Sequence, residues 1–127
     1  MRLNPDCIRD ILLECEEKCT PKKHIVFKNN ETFERGNRSY PYDETIYHLR
    51  QCKLNEYFVK SSEDLMGDYA VYDLSPKAHE FLADIRSDSV WSKTKAAAKE
   101  VGVSSLHGLS SIAAQIITAI ISKYIGV

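Results

Sequence analysis

Glycine and proline are scarce in this chain, five and four among 127 residues, and no glycines cluster into a loop that would cradle phosphates. The nucleotide-binding loops of the Walker and dinucleotide kinds are therefore excluded. HExxH, GxSxG and CxxC are also missing, and no acid and base stand at a spacing diagnostic of catalysis, so the sequence argues against an enzyme. Charge of one sign is lacking too. The 17 Lys and Arg oppose 18 Asp and Glu, a net charge of −1, so any contact with nucleic acid has to come from a local patch.

The first residues, Met1-Arg2-Leu3-Asn4-Pro5-Asp6, lack an apolar run behind a basic start. No secretory leader is expected from them, and the reading is cytoplasmic, with reduced cysteines. Cys7, Cys15, Cys19 and Cys52 keep no zinc-finger spacing. Cys15 and Cys19, with His24 close by, come nearest to a metal set. Spaced four apart, they also continue the face of Ile8, Ile11 and Leu12, and they are read as core residues, with no metal and no cofactor.

What is present is a chain with 43% hydrophobic residues and clear punctuation. Asn4 and Pro5 start an amphipathic helix to about Lys18, ended by Thr20-Pro21. His24 to Phe27 is strand-like. The stretch from Lys28 to Pro41 shows neither period and is expected to be a loop or at best one helical turn. Asp43 to about Leu54 is the next helix, with Ile46, Leu49 and either Cys52 or Lys53 inward. Tyr57 to Val59 and Tyr69 to Tyr72, joined through Gly67, read as a hairpin. Ser75-Pro76 opens a helix with Ala78, Phe81, Leu82 and Ile85 inward, and Ser87 or Asp88 opens another, which Gly102 stops. The expected domain core is Ile8, Ile11, Leu12, Ile46, Leu49, Phe58, Val71, Phe81, Leu82 and Ile85.

Four stretches carry a resemblance: Leu3 to Leu12 (LNPDCIRDIL), Ile46 to Cys52 (IYHLRQC), Asp73 to Arg86 (DLSPKAHEFLADIR) and Val90 to Lys95 (VWSKTK). Together they resemble an uncharacterised family of small phage and Firmicute proteins, a domain of unknown function, and are similar to the YjcQ-like winged-helix proteins. The resemblance spans nearly the whole chain and implies a winged helix and a phage or prophage origin. It transfers no functional residue. The family pattern usually has a Gly where the recognition helix gives way to the wing; here Asn55-Glu56 stands, with Asn55 expected to take the left-handed turn. The expected class is α+β, mainly α. Residues 1–86 would form a winged helix-turn-helix with a shortened or missing second helix. Residues 87–127 would be a helical extension.

In a winged helix that binds DNA, the Asp43 to Leu54 helix enters the major groove, and Tyr47, His48, Arg50, Gln51 and Lys53 are its available side chains. Lys22, Lys23, Lys28, Arg35 and Arg38 would replace the backbone contacts of the missing helix: between Pro21 and Arg38 these five meet only Glu31 and Glu34, a local charge of +3. Glu63, Asp64 and Asp68 at the wing tip oppose this by repelling phosphate. The expectation is a non-catalytic DNA-binding regulator; the alternative is a protein-interaction factor, such as a phage protein acting on a host protein. His48 and His79 have no catalytic partner in sequence, and a histidine with a local hydrogen bond is the plainer reading of each.

Val101 to Ser122 is a run of 22 residues without formal charge. Its length suits a membrane span, but its Ser, Thr, Gln and His content does not. Leu106, Leu109, Ile112, Ala113, Ile116, Ile117, Ile120, Ile121 and Tyr124 sweep an arc too wide for one domain surface to cover. A self-association helix at about 104–125 is expected, giving a homo-oligomer; a small membrane-active effector is the weaker alternative.

Overall fold

A computed structural model of the chain describes residues 1–126. It is an α+β protein, with more than half its residues in five helices and the rest built around small antiparallel sheets. Helix α1, Pro5–Lys18, starts where the Asn4 side chain accepts the Asp6 N–H at 3.1 Å, and buries Cys7, Ile8, Ile11, Leu12 and Cys15 along one face. Strand β1, Ile25–Phe27, follows.

The segment from Lys28 to Pro41 is not the expected loop or helical turn. It is a hairpin of β2, Phe33–Arg35, and β3, Arg38–Tyr40, paired Phe33 to Tyr40, Glu34 to Ser39 and Arg35 to Arg38. Gly36, at φ +61°, supplies the positive φ that the first position of a tight two-residue turn requires. Each strand has three residues and one buried aromatic, too short to show a period. Phe33 bridges the hairpin to the body, edge-on to Phe27 and stacked on Tyr40.

Helix α2, Tyr42–Leu54, turns Thr45, Ile46, His48, Leu49 and Cys52 inward, which settles Cys52 over Lys53. Strands β4, Phe58–Glu63, and β5, Tyr69–Leu74, complete a sheet of order β1-β5-β4, antiparallel throughout. The core of this part forms where α1 packs on α2 and on β5.

Between α2 and β4 the left-handed residue is Glu56, at φ +61°, while Asn55 closes the helix at φ −90°. The expectation for Asn55 is corrected: its N–H and side-chain amide both bond to the Gln51 carbonyl, which holds it in the helical frame and moves the reversal one residue on. A left-handed non-glycine residue costs about 1–2 kcal/mol, of which glycine's greater unfolded-state freedom returns part. Glu56→Gly is therefore expected to raise stability by about 0.5 kcal/mol, read as a higher urea midpoint at unchanged slope.

Helix α3, Pro76–Ile85, starts at Ser75, whose Oγ accepts the Ala78 N–H. Helix α4, Asp88–Val101, is capped by Ser87 and ends on left-handed Gly102; α5, Leu106–Ile125, is capped by Ser105. The chain divides into two compact units, Met1–His79 and the residues from Glu80 on. Phe81, Leu82 and Ile85, expected in the core of the first domain, are buried but belong to the second unit. Within that unit α4 packs on α5, burying Val90, Trp91, Thr94 and Ala98 of one and Leu106, Leu109 and Ala113 of the other.

Candidate nucleic-acid interface

The side chains singled out for DNA contact lie in three places. Lys22 and Lys23 sit exposed in the turn after α1; Lys28, Arg35 and Arg38 belong to β1's end and the β2–β3 hairpin; Tyr47, His48, Arg50, Gln51 and Lys53 ride on α2. The arginines of all three elements they occupy are already engaged. Arg38 grips Asp10 of α1 with two bonds, Nε to Oδ2 at 2.7 Å and Nη2 to Oδ1 at 2.8 Å, and Tyr40 donates its hydroxyl to the same carboxylate at 2.6 Å. The hydrogen bond to Asp10 raises the pKa of Arg38, and burial raises that of Tyr40. Arg35 reaches Glu14 at 2.7 Å and Glu17 at 2.8 Å, also on α1. The short β2–β3 hairpin is clamped to α1 by its arginines.

Arg50 of α2 is clasped to Glu63 of β4, Nε to Oε1 at 2.9 Å and Nη2 to Oε2 at 2.6 Å. The Arg50 hydrogen bond holds the Glu63 carboxyl below its ordinary pKa. The β4–β5 loop turns back toward the body. Tyr42 donates its hydroxyl to the Gly67 carbonyl at 2.6 Å, and Asp68 accepts the Asn29 N–H at 2.8 Å with Lys28 3.9 Å away. Gly67 is required there: at φ +86° a Cβ would stand 2.9 Å from the Asn29 side chain. The acidic loop thus meets the cations of α2 and of the β1 end, a pairing invisible in sequence because it depends on how the hairpin returns.

His48 does not reach solvent. It is fully buried, with Nε2 accepting the Asn4 N–H and Nδ1 donating to the Glu44 carbonyl, each at 2.7 Å. Its place among the base-reading residues is corrected, because it lies on the inward face of α2 and ties that helix to the start of α1. Tyr47 and Gln51 are half-exposed and Lys53 exposed. Burial lowers the pKa of His48. A folded-state pKa below the unfolded one contributes stability fully above about pH 6.5, and this is lost as pH falls toward the folded value, by up to about 1.4 kcal/mol per unit. His48→Gln is expected to flatten the stability profile below about pH 6.5, measured by urea unfolding at stepped pH.

Cys7, Cys15 and Cys52 are buried in the core, whereas Cys19, expected there too, is half-exposed because it lies at the end of α1. Cys7 and Cys52 have raised pKa values from burial, and a hydrogen bond with Cys19 raises Cys15 while bringing half-exposed Cys19 to about 7. Among the described residues no three His, Cys, Asp or Glu side chains form a metal-binding group.

A family model described as "Hypothetical protein (DUF2513)" matches residues 2–104. The chain belongs to the DUF2513 family. No curated protein and no solved structure matches it. The DUF2513 match takes in α1 to α4 and ends before Leu106, so α5 lies outside the matched residues. Helix α5 is also long and apolar enough by length and composition to cross a membrane. The nine side chains expected at its interface separate: Leu106, Leu109 and Ala113 are buried, correcting their assignment to a partner surface, because α5 lays its first half on α4. Ile112, Ile116 and Ile117 are half-buried, and Ile120, Ile121 and Tyr124 are exposed.

Proposed function

We propose that this DUF2513 protein is a non-catalytic, cytoplasmic interaction protein of winged-helix type, of phage or prophage origin, that self-associates through α5 and acts through protein contacts. The order β1-β5-β4, with α2 entering the β4–β5 hairpin, supports the winged-helix reading and its kinship with YjcQ-like proteins. The observation that carries the choice of partner is the Arg50–Glu63 clasp. The one arginine of the would-be recognition helix is held bidentately by the wing, and the wing tip beyond it exposes Leu65 and Met66 between Asp64 and Asp68. Apolar side chains flanked by carboxylates suit a protein surface and repel a phosphate backbone. For α5 the occupant is a second copy, which brings an equally uncharged face and so buries no unpaired charge.

A duplex-binding regulator is the second reading, favoured by Lys22, Lys23 and Lys53, which are exposed and stand outside the ion pairs described. The two readings separate in a fluorescence anisotropy titration against random-sequence duplex at low salt. The first predicts no binding by the wild type, and none by Glu63→Gln, which releases Arg50. Wild-type binding that weakens and loses salt dependence on replacing Arg35, Arg38 and Arg50 with Ala would establish the second.

A further inference from the structure

One cationic cluster plays no part in the protein-contact reading. We propose a binding site for phosphoryl groups on the solvent face of the three-stranded sheet, formed by Lys22, Lys23 and Lys60 around the His24–Tyr72 stack. These residues line one groove of about 410 Å³ with Thr20, Val59 and Asp73 among its walls, a volume within the range of small-ligand sites. The groove is preorganised from both sides. The turn that presents the first two lysines is closed by reciprocal Thr20 and Lys23 backbone bonds at 2.8 and 3.1 Å, and the Lys22 N–H bonds to Thr20 Oγ1. On the floor, His24 stacks on Tyr72 with ring centroids 4.7 Å apart, and Lys60 Nζ lies 4.7 Å from the centre of the same Tyr72 ring. The β4–β5 register shifts on both sides of Lys60, an irregularity of the kind that re-aims a side chain out of the regular strand alternation.

Charge decides the ligand class. Three ammonium groups face one carboxylate, Asp73, whose Oδ1 already accepts the Leu74 N–H at 2.8 Å. None of the three lysines is in an ion pair among the described residues, unlike Lys18, Lys28, Arg35, Arg38 and Arg50. Lysines are rotatable point charges without the planar fork that matches a single carboxylate, and several of them together suit a group with many anionic oxygens. His24 and Lys60 occupy the Tyr72 ring, so the site takes phosphate and not a stacked base. Two sources carry that chemistry: a free polyphosphate ligand, and the backbone of single-stranded nucleic acid. The inference goes beyond the proposed function: it draws on the turn after α1 and on Lys60, Tyr72 and Asp73 of the β4–β5 hairpin, and uses neither α2 nor α5.

Calorimetric titration with inorganic triphosphate, beside anisotropy with a labelled oligothymidylate, tests it at low salt on the full chain. Triphosphate is expected to bind once per chain, at least tenfold more weakly when Lys22, Lys23 and Lys60 are all replaced by Ala, and unchanged by Lys93→Ala with Lys99→Ala. All these side chains are on the surface, and urea unfolding checks that each variant is folded. If the oligothymidylate also binds, with a log–log salt slope of about −2 that the triple variant abolishes, the source is a nucleic-acid backbone; if only triphosphate binds, it is a free phosphorylated ligand. No triphosphate binding by the wild type, or binding that survives the triple substitution, overturns the site. Duplex binding lost on Arg50→Ala but kept in the triple variant would overturn the proposed function without supporting this site.

Discussion

Asp10→Ala is expected to destabilise the protein by about 2–4 kcal/mol, a large share of the stability of a small domain. Asp10 is fully buried and accepts three hydrogen bonds, two from Arg38 and one from Tyr40. Removing the carboxylate leaves the buried Tyr40 hydroxyl unpaired and deprives the Arg38 guanidinium of its counter-charge. Arg38 is 44% exposed, so water recovers part of that loss and the figure stays below that for a wholly buried pair. The same bonds fasten the β2–β3 hairpin to α1, so limited proteolysis in the variant should cut first near Gly36. Asp10→Asn keeps an acceptor for Tyr40 and is expected to lose less. Urea unfolding of the three proteins orders them wild type, Asn, Ala; equal midpoints would show that the clamp contributes nothing.

The reason this clamp was illegible in sequence is instructive. Arg35 and Arg38 stand in a segment with a local positive charge, and counting along the chain presents them as cations awaiting phosphate. Their carboxylates lie far back in sequence on α1, and only the fold brings them together. Glu63 and Arg50 escaped for the same reason. Features set by nearest neighbours were legible: the caps Asn4, Ser75 and Ser87, the stop at Gly102, and the inward stripes of α1 and α2. His48 shows the border between the two, because helical periodicity places it beside Leu49 on the inward face, while its partner Asn4 lies at the start of another helix. The three-residue strands β2 and β3 lie below the length at which alternation can be read.

Under the proposed self-association through α5, Ile120→Asp with Ile121→Asp is expected to yield a monomer, weakening association at least about 100-fold, the equivalent of about 2.7 kcal/mol. Ile120 and Ile121 are 41% and 52% exposed, and Tyr124 beyond them is 91% exposed. Lys123 is the one charged side chain on the helix. Burying the exposed part of each isoleucine against a second copy gains roughly 25 cal/mol per Å², whereas each aspartate brought into that contact has to shed its water without a partner. Because both positions face solvent within the chain, circular dichroism and the melting temperature should stay close to wild type. A variant that keeps the wild-type mass would move the interface off α5.

The most direct test of self-association through α5 is the mass of the intact chain in detergent-free buffer, by light scattering behind size exclusion. The account predicts at least twice the 14.5 kDa of one chain, falling to 14.5 kDa in the Asp variant. A wild-type protein that elutes as a 14.5 kDa monomer at high concentration would contradict it, as would one that stays in solution only with detergent, which would assign α5 to lipid.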